Sequence, residues 1–197
     1  MPFLMVGPIT WDVFDDDTKS PGGSVSFAAR TAAALGVRAY ILTGGAGDAS
    51  LTALAGHSVH FVEGITTESW HIHSSKGGER RLRLLERLGR MLDPDDLLSG
   101  WPEPKNLFLA PLMAEDVDML AFLDKFSAAN VWILGQGLQR EIDADGFADM
   151  CLDETEAEIR AWCDFHHIID ECSSHFSDEF VALFLAGIQI LETDGRT

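Results

Sequence analysis

The chain has 197 residues, 46% hydrophobic and 23% charged, the make-up of an ordinary soluble globular domain, and no apolar run approaches the ~20 residues of a membrane span. With 14 basic residues against 32 acidic ones the net charge is −18. That balance excludes a protein that tracks nucleic-acid phosphates and leaves Arg80, Arg81, Arg83, Arg87 and Arg90 as the one basic cluster. The cysteines Cys151, Cys163 and Cys172 have no metal-type spacing and read as reduced core thiols, and the N-terminus lacks a signal peptide's basic flank, so a cytoplasmic location is expected.

In chain order, residues 3–7 are a short apolar run ending in glycine, which predicts a buried strand. Asp15-Asp16-Asp17 and Ser20-Pro21-Gly22-Gly23 predict loops. A helix from Ser24 to Leu35 follows, with Ala28, Ala29, Ala32, Ala33 and Leu35 as its packing face and Gly36 as its stop. Residues 38–43 predict a second strand, 48–55 a short helix closed by Gly56, and 58–63 a third strand. The rhythm then changes. Residues 69–73 and 81–84 alternate apolar with polar side chains around Ser-Ser-Lys-Gly-Gly, which predicts a hairpin standing off the main sheet. Beyond it come a strand at 106–109, a helix at 115–128, a strand at 131–134, helices at 154–165 and 177–186, and strands at 168–169 and 188–191. Repeated strand–helix units predict a mostly parallel sheet with helices on both faces, in one domain spanning 1–197.

The stretch LTGGAGDASL (42–51) reads two ways. Gly45-x-Gly47-x-x-Ser50, a strand and Glu63 18 residues after Gly45 approach a dinucleotide-binding turn. The third glycine is missing, however, and the turn follows the second strand rather than the first. Gly45-Ala46-Gly47-Asp48 reads instead as a phosphoryl-transfer signature. His71 and His73 alternate onto one strand face, a spacing that allows a metal pair, but without a further ligand in the sequence no metal site is assigned. Trp11 and Trp70 are candidates for stacking on a ring.

VGPITWDVF (6–14), followed by PGGSVSFAARTAAALGVRAYILTGGAGDA (21–49), resembles the pfkB-type, or ribokinase-like, carbohydrate kinases. The likeness rests on Gly7, Asp12, Gly22-Gly23 and Leu35-Gly36, and continues through 77–80, 106–117 and 133–146. It implies a ribokinase-like α/β fold, a β lid at about 66–87 and transfer of a phosphoryl group from ATP, with Mg2+, to a hydroxyl of a sugar-like molecule. It also implies Asp12, Gly22 and Gly23 as substrate contacts, with Phe27 and Arg140 beside them. Phe27 stands where many members have asparagine. The family's Asp-Thr-x-Gly-Ala-Gly-Asp catalytic signature belongs far downstream, so Gly45-Ala46-Gly47-Asp48 is expected to be a look-alike whose Asp48 caps a short helix. No catalytic residue is assigned. The C-terminal part of the fold is expected to be absent and the chain inactive alone. Lids of this family often pair, so a homodimer is possible. The alternatives are a non-catalytic small-molecule-binding remnant and a dinucleotide-dependent enzyme using Gly45, Gly47 and Glu63.

Overall fold

A computed structural model describes residues 2–63, 65–74, 80–138 and 140–150. The elements foreseen between 154 and 191, the three cysteines and Trp162 lie outside them. The strands, in order, are β1 (Phe3–Val6), β2 (Thr10–Phe14), β3 (Lys19–Gly22), β4 (Tyr40–Gly44), β5 (Ser58–Val62), β6 (Glu68–Ser74), β7 (Arg80–Glu86), β8 (Asn106–Leu109), β9 (Asn130–Ile133), β10 (Arg140–Ile142) and β11 (Ala148–Met150). The helices are α1 (Ser24–Ala34) and α2 (Met119–Lys125).

The main sheet runs β5-β4-β1-β8-β9, and every pairing in it is parallel. Its inner strands β1, β4 and β8 are mostly apolar and buried, as expected where both faces are covered. Leu4, Met5, Val6, Ile41, Leu42, Leu107 and Leu109 are all buried. From β1 the chain crosses through α1 to β4, and from β8 through α2 to β9, in opposite directions along the sheet. Right-handed connections then place the two helices on opposite faces. This is the ribokinase-like α/β arrangement that the motifs imply.

Helix α1 packs through Val25, Ala28, Ala29 and Ala32, which recur at helical spacing and let its backbone approach the sheet closely. Ala33 and Leu35, expected on that face, are exposed. Leu35 is the C-cap, and Gly36 (φ 71°) donates to Ala33 O while Val37 donates to Ala32 O. This Schellman closure needs a left-handed residue, which Gly36 supplies.

The foreseen hairpin is β6–β7, and it belongs to a second sheet, β3-β2-β6-β7. Residues 19–22, read as loop, form the edge strand of that sheet, a position that tolerates Pro21 because no partner needs its missing N–H. The helix expected at 48–55 is reduced to a 3-10 turn at Thr52–Leu54. The helix expected at 115–128 shortens to α2, preceded by a separate 3-10 turn at Ala114–Asp116. No helix of the described residues is long and apolar enough to cross a membrane.

Candidate functional site

Parallel strands end on one side of a sheet, and ligands of open α/β folds bind beyond those carboxyl ends. Five segments leave the main sheet there: the β2–β3 segment after β1, the turn 45–51 after β4, the stretch leading to Thr67 and Glu68 after β5, residues 110–118 after β8, and the segment leading to Arg140 after β9. They supply the candidate site.

Asp12 sits half-buried in the middle of β2, with Thr10 Oγ1 donating to its Oδ1 at 3.1 Å. The antiparallel register aligns Thr10 with Gly22 and Asp12 with Ser20, which lays the Gly22 backbone against the Asp12 carboxylate. A Cβ on Gly22 would stand 2.6 Å from Asp12 Cγ. Gly23, at φ 93°, is the N-cap of α1, and a Cβ there would lie 2.5 Å from Pro8 O. Gly23 is therefore sterically required, while a side chain at Gly22 would displace the Asp12 carboxylate. Gly23 brings no side-chain cap, and the first turn of α1 contains no acid. A carboxylate acceptor thus stands beside an uncapped helix start, whose amides are donors for oxygen ligands. Phe27 is in that first turn, half-buried, with the Arg30 guanidinium 6.0 Å from its ring centroid. The structure lays Gly22 against Asp12, with Gly23 next in the chain against Pro8 and Thr10.

Arg140 is buried, not a surface residue. Its guanidinium donates to Leu112 O at 3.2 Å and lies 5.0 Å from the Trp70 ring centroid. Trp70 is the in-register neighbour of Asp12 on β6 and is only 3% exposed, so it is a core residue rather than an open platform for a ring. Through Trp70, Arg140 braces the strand beside Asp12.

Beneath this group lies a pair that the sequence patterns did not reveal. Glu68 and Asp116 are 0% and 2% exposed. Trp70 Nε1 donates to Glu68 Oε1, Glu68 Oε2 meets no donor, and the Asp116 carboxyl adjoins that of Glu68. Two carboxyl groups bond only if one keeps a proton. Burial, then the Asp116 charge, pushes Glu68 well above the usual carboxylate range. Burial raises Asp116 too, but its Oδ2 accepts from Leu112 N at 2.8 Å and Met113 N at 2.6 Å, which favour its charge. Glu68 is therefore the acid and Asp116 the carboxylate. The signal was present in Glu68-Ser69-Trp70-His71-Ile72-His73, whose alternation puts Glu68 on the face of Trp70 and Ile72.

The turn 45–48 is closed on itself. Ala46 N donates to Thr67 Oγ1 at 2.8 Å, and Thr67 Oγ1 donates to Asp48 Oδ1 at 2.9 Å. The 3-10 turn nearby is capped by Leu51, so Asp48 caps no helix. An anion hole at a helix start needs a helix behind its amides; none follows this turn directly, and its Ala46 amide is taken by Thr67. A dinucleotide's pyrophosphate over Gly45 and Gly47, with Glu63 on the ribose, lacks support for the same reason. The stretch thus lacks the geometry of its signature, and Asp48 holds Thr67 rather than a helix end.

The opposite face of the second sheet carries Trp11, His71, His73, Arg81 and Arg83. Among the described residues the arginines do not gather into an anion patch. Arg81 and Arg83 lie against the Phe147 ring, Arg87 pairs with Glu115, and Arg90 pairs with Asp96. A shallow hollow lined by Leu4, Tyr40, Leu97, Trp101 and Phe126 lies at the amino ends of β1 and β4, away from these groups.

No protein-family model matches this sequence, and no curated protein is significantly similar to it. Among solved structures, a sulfate complex of a pyrophosphate-dependent kinase in the ribokinase family is similar, with a TM-score of 0.60 at 20% identity over 76% of this chain and 55% of that one. A pyrophosphate-dependent kinase of the same family, complexed with a pyrophosphate analog and myo-inositol, gives 0.58 at 19% identity over 76% and 54%. Ribokinase from Giardia lamblia gives 0.51 at 16% identity over 68% and 51%. The chain spans about half the length of these structures, and the likeness is one of fold.

Proposed function

We propose that residues 1–150 form the acceptor-binding half of a ribokinase-like carbohydrate kinase, and that Asp12, with the backbone at Gly22-Gly23, holds hydroxyl groups of a sugar or cyclitol. The observation that carries this reading is the Gly22 backbone pressed against the Asp12 carboxylate at the uncapped start of α1. A carboxylate accepts hydroxyl protons in charge-assisted bonds, and helix amides donate to hydroxyl oxygens, so a polyol satisfies both at once. The lid sheet that carries Asp12 would keep water from the transferring phosphoryl group. Phe27 would border the ligand with an apolar edge, and Arg140 would act through Trp70 as a positioning residue.

ATP with Mg2+ remains the expected donor. Pyrophosphate joins it as a donor to test, because two of the similar structures are described as pyrophosphate-dependent. The closed 45–48 turn does not fit either donor, and no step is routed through it.

Calorimetry of the full chain with myo-inositol, ribose, fructose and a nucleoside tests the reading. At least one of these should bind, and Asp12→Ala should weaken that binding at least tenfold, at roughly 1.5–3 kcal/mol per charge-assisted bond, while far-UV circular dichroism stays unchanged. Equal affinity in the variant would remove Asp12 from the site. Binding without turnover from either donor would identify a polyol-binding protein rather than a kinase.

A further inference from the structure

On the outer face of the lid, three groups with metal-ligating chemistry converge from two strands. We propose that Asp15, His71 and His73 bind one divalent ion of the zinc class, clipping the β2–β3 turn to strand β6. His-x-His on a strand puts both imidazoles on one face, and their ring centroids are 4.0 Å apart. The third ligand comes from the turn. Phe14 N donates to Thr18 O, Asp17 takes φ 62°, and this tight loop carries Asp15 back over β6. Asp15 Oδ1 lies 3.6 Å from His71 Nε2 and 2.8 Å from His73 Nδ1. One ligand atom from each of the three residues lies within 4.8 Å of the others. Metal–ligand bonds of about 2.0–2.2 Å hold tetrahedral ligand atoms roughly 3.3–3.5 Å apart. The His71–Asp15 separation already fits, and the His73–Asp15 hydrogen bond would open by about half an ångström.

The choice of ion follows from the donors and the surrounding charge. Two imidazole nitrogens and one carboxylate suit zinc, cobalt, nickel or copper, whereas magnesium and calcium want mostly oxygen. Arg83 and Arg81 are the cross-strand neighbours of His71 and His73. Their positive charge opposes a cation held by field alone, so nitrogen ligation must carry the affinity. Arg81 lies 4.1 Å and Arg83 5.9 Å from the Phe147 ring centroid, itself 5.6 Å from that of His73, and Arg83 Nε donates to Asp145 O. Asp16 is held by the Thr18 hydroxyl at 2.6 Å and is not a fourth ligand. Among the described residues these three are the ligands, and water can take a remaining position. Asp12 points to the other face, so this ion would be separate from polyol binding.

The experiment is titration of chelator-stripped full chain with Zn2+ and Mg2+ by calorimetry, and with Co2+ by visible absorption. One Zn2+ per chain at micromolar affinity or better is expected, with Mg2+ failing to compete. His71→Ala and His73→Ala should each weaken that event at least tenfold, and Asp15→Asn severalfold. All three side chains are partly exposed, so the variants should keep the wild-type unfolding curve. No stoichiometric Zn2+ event up to 100-fold molar excess would overturn the proposal. So would an event that the double variant His71→Ala/His73→Ala leaves unchanged, since the ion would then sit elsewhere in the chain.

Discussion

At position 22 a single methyl group decides the geometry of the site. Gly22→Ala would drive a Cβ to 2.6 Å from Asp12 Cγ, and one of the two must move. Overpacking of this kind costs about 1–3 kcal/mol, and the displaced carboxylate should lower polyol affinity as much as Asp12→Ala does. Calorimetry and urea unfolding of the variant measure the two effects separately. Such a residue is legible in sequence because glycine marks a place where backbone and neighbour nearly touch. The alternation at 68–73 marks the face of Glu68, but its pairing with Asp116 was not legible, because the partner of each lies on a segment distant in sequence. Their pairing makes a prediction about pH. The folded pKa of Glu68 is raised above the unfolded value of about 4.3. In that window the folded chain holds more protons, so this contribution is full below about pH 4.3 and is lost as pH rises through the folded value. Glu68→Gln cannot ionise, and its urea-unfolding stability should fall less steeply above pH 4.3 than wild type. Parallel curves would show that Glu68 does not carry the titration.

Elements survived from sequence to structure where their pattern was also their packing. The buried strands and the β6–β7 alternation did so, because apolar period and burial are the same fact. The helices at 48–55 and 115–128 failed where a tertiary bond overrode local preference. Residues 48–55 are too few to hold a helix without a packed face, and Thr67 claims both Ala46 and Asp48. Residues 116–118 are drawn out straight because Leu92 N donates to Asp116 O and Asp118 N donates to Leu92 O. Asp118 then starts α2 by accepting from Ala121 N. Thr67→Val should therefore cost about 1–3 kcal/mol, the range for a buried polar group left without its partner. Asp48→Asn keeps an acceptor and should cost less than 1 kcal/mol, and any phosphoryl transfer the chain performs should be unaffected. Turnover abolished by Asp48→Asn would mean that the turn is catalytic after all. Within the lid, hydrogen exchange should be slow at 70–72, where Trp70 and Ile72 are buried, and faster at 81–85, where the side chains are more exposed.

Across the whole molecule the strongest influence outside the core is acidity. A net charge of −18 repels itself in the folded state, and salt screens that repulsion. Raising NaCl from 10 to 300 mM should lift Tm by about 2–4 °C, or roughly 1 kcal/mol for a chain of this size. A flat profile would mean that the charges are already neutralised locally. The rims of the lid sheet bear on how two such molecules could meet. On one rim, β3 presents Lys19 and Pro21, a charge and a missing donor. Along the other, Leu84 N donates to Gly146 O and Arg83 bridges Phe147, so β7 already has company. Open strand borders invite a neighbour to zip on, and these are blunted at both ends. If the lids pair, two copies must press palm to palm rather than join fingertips into one continuous ribbon.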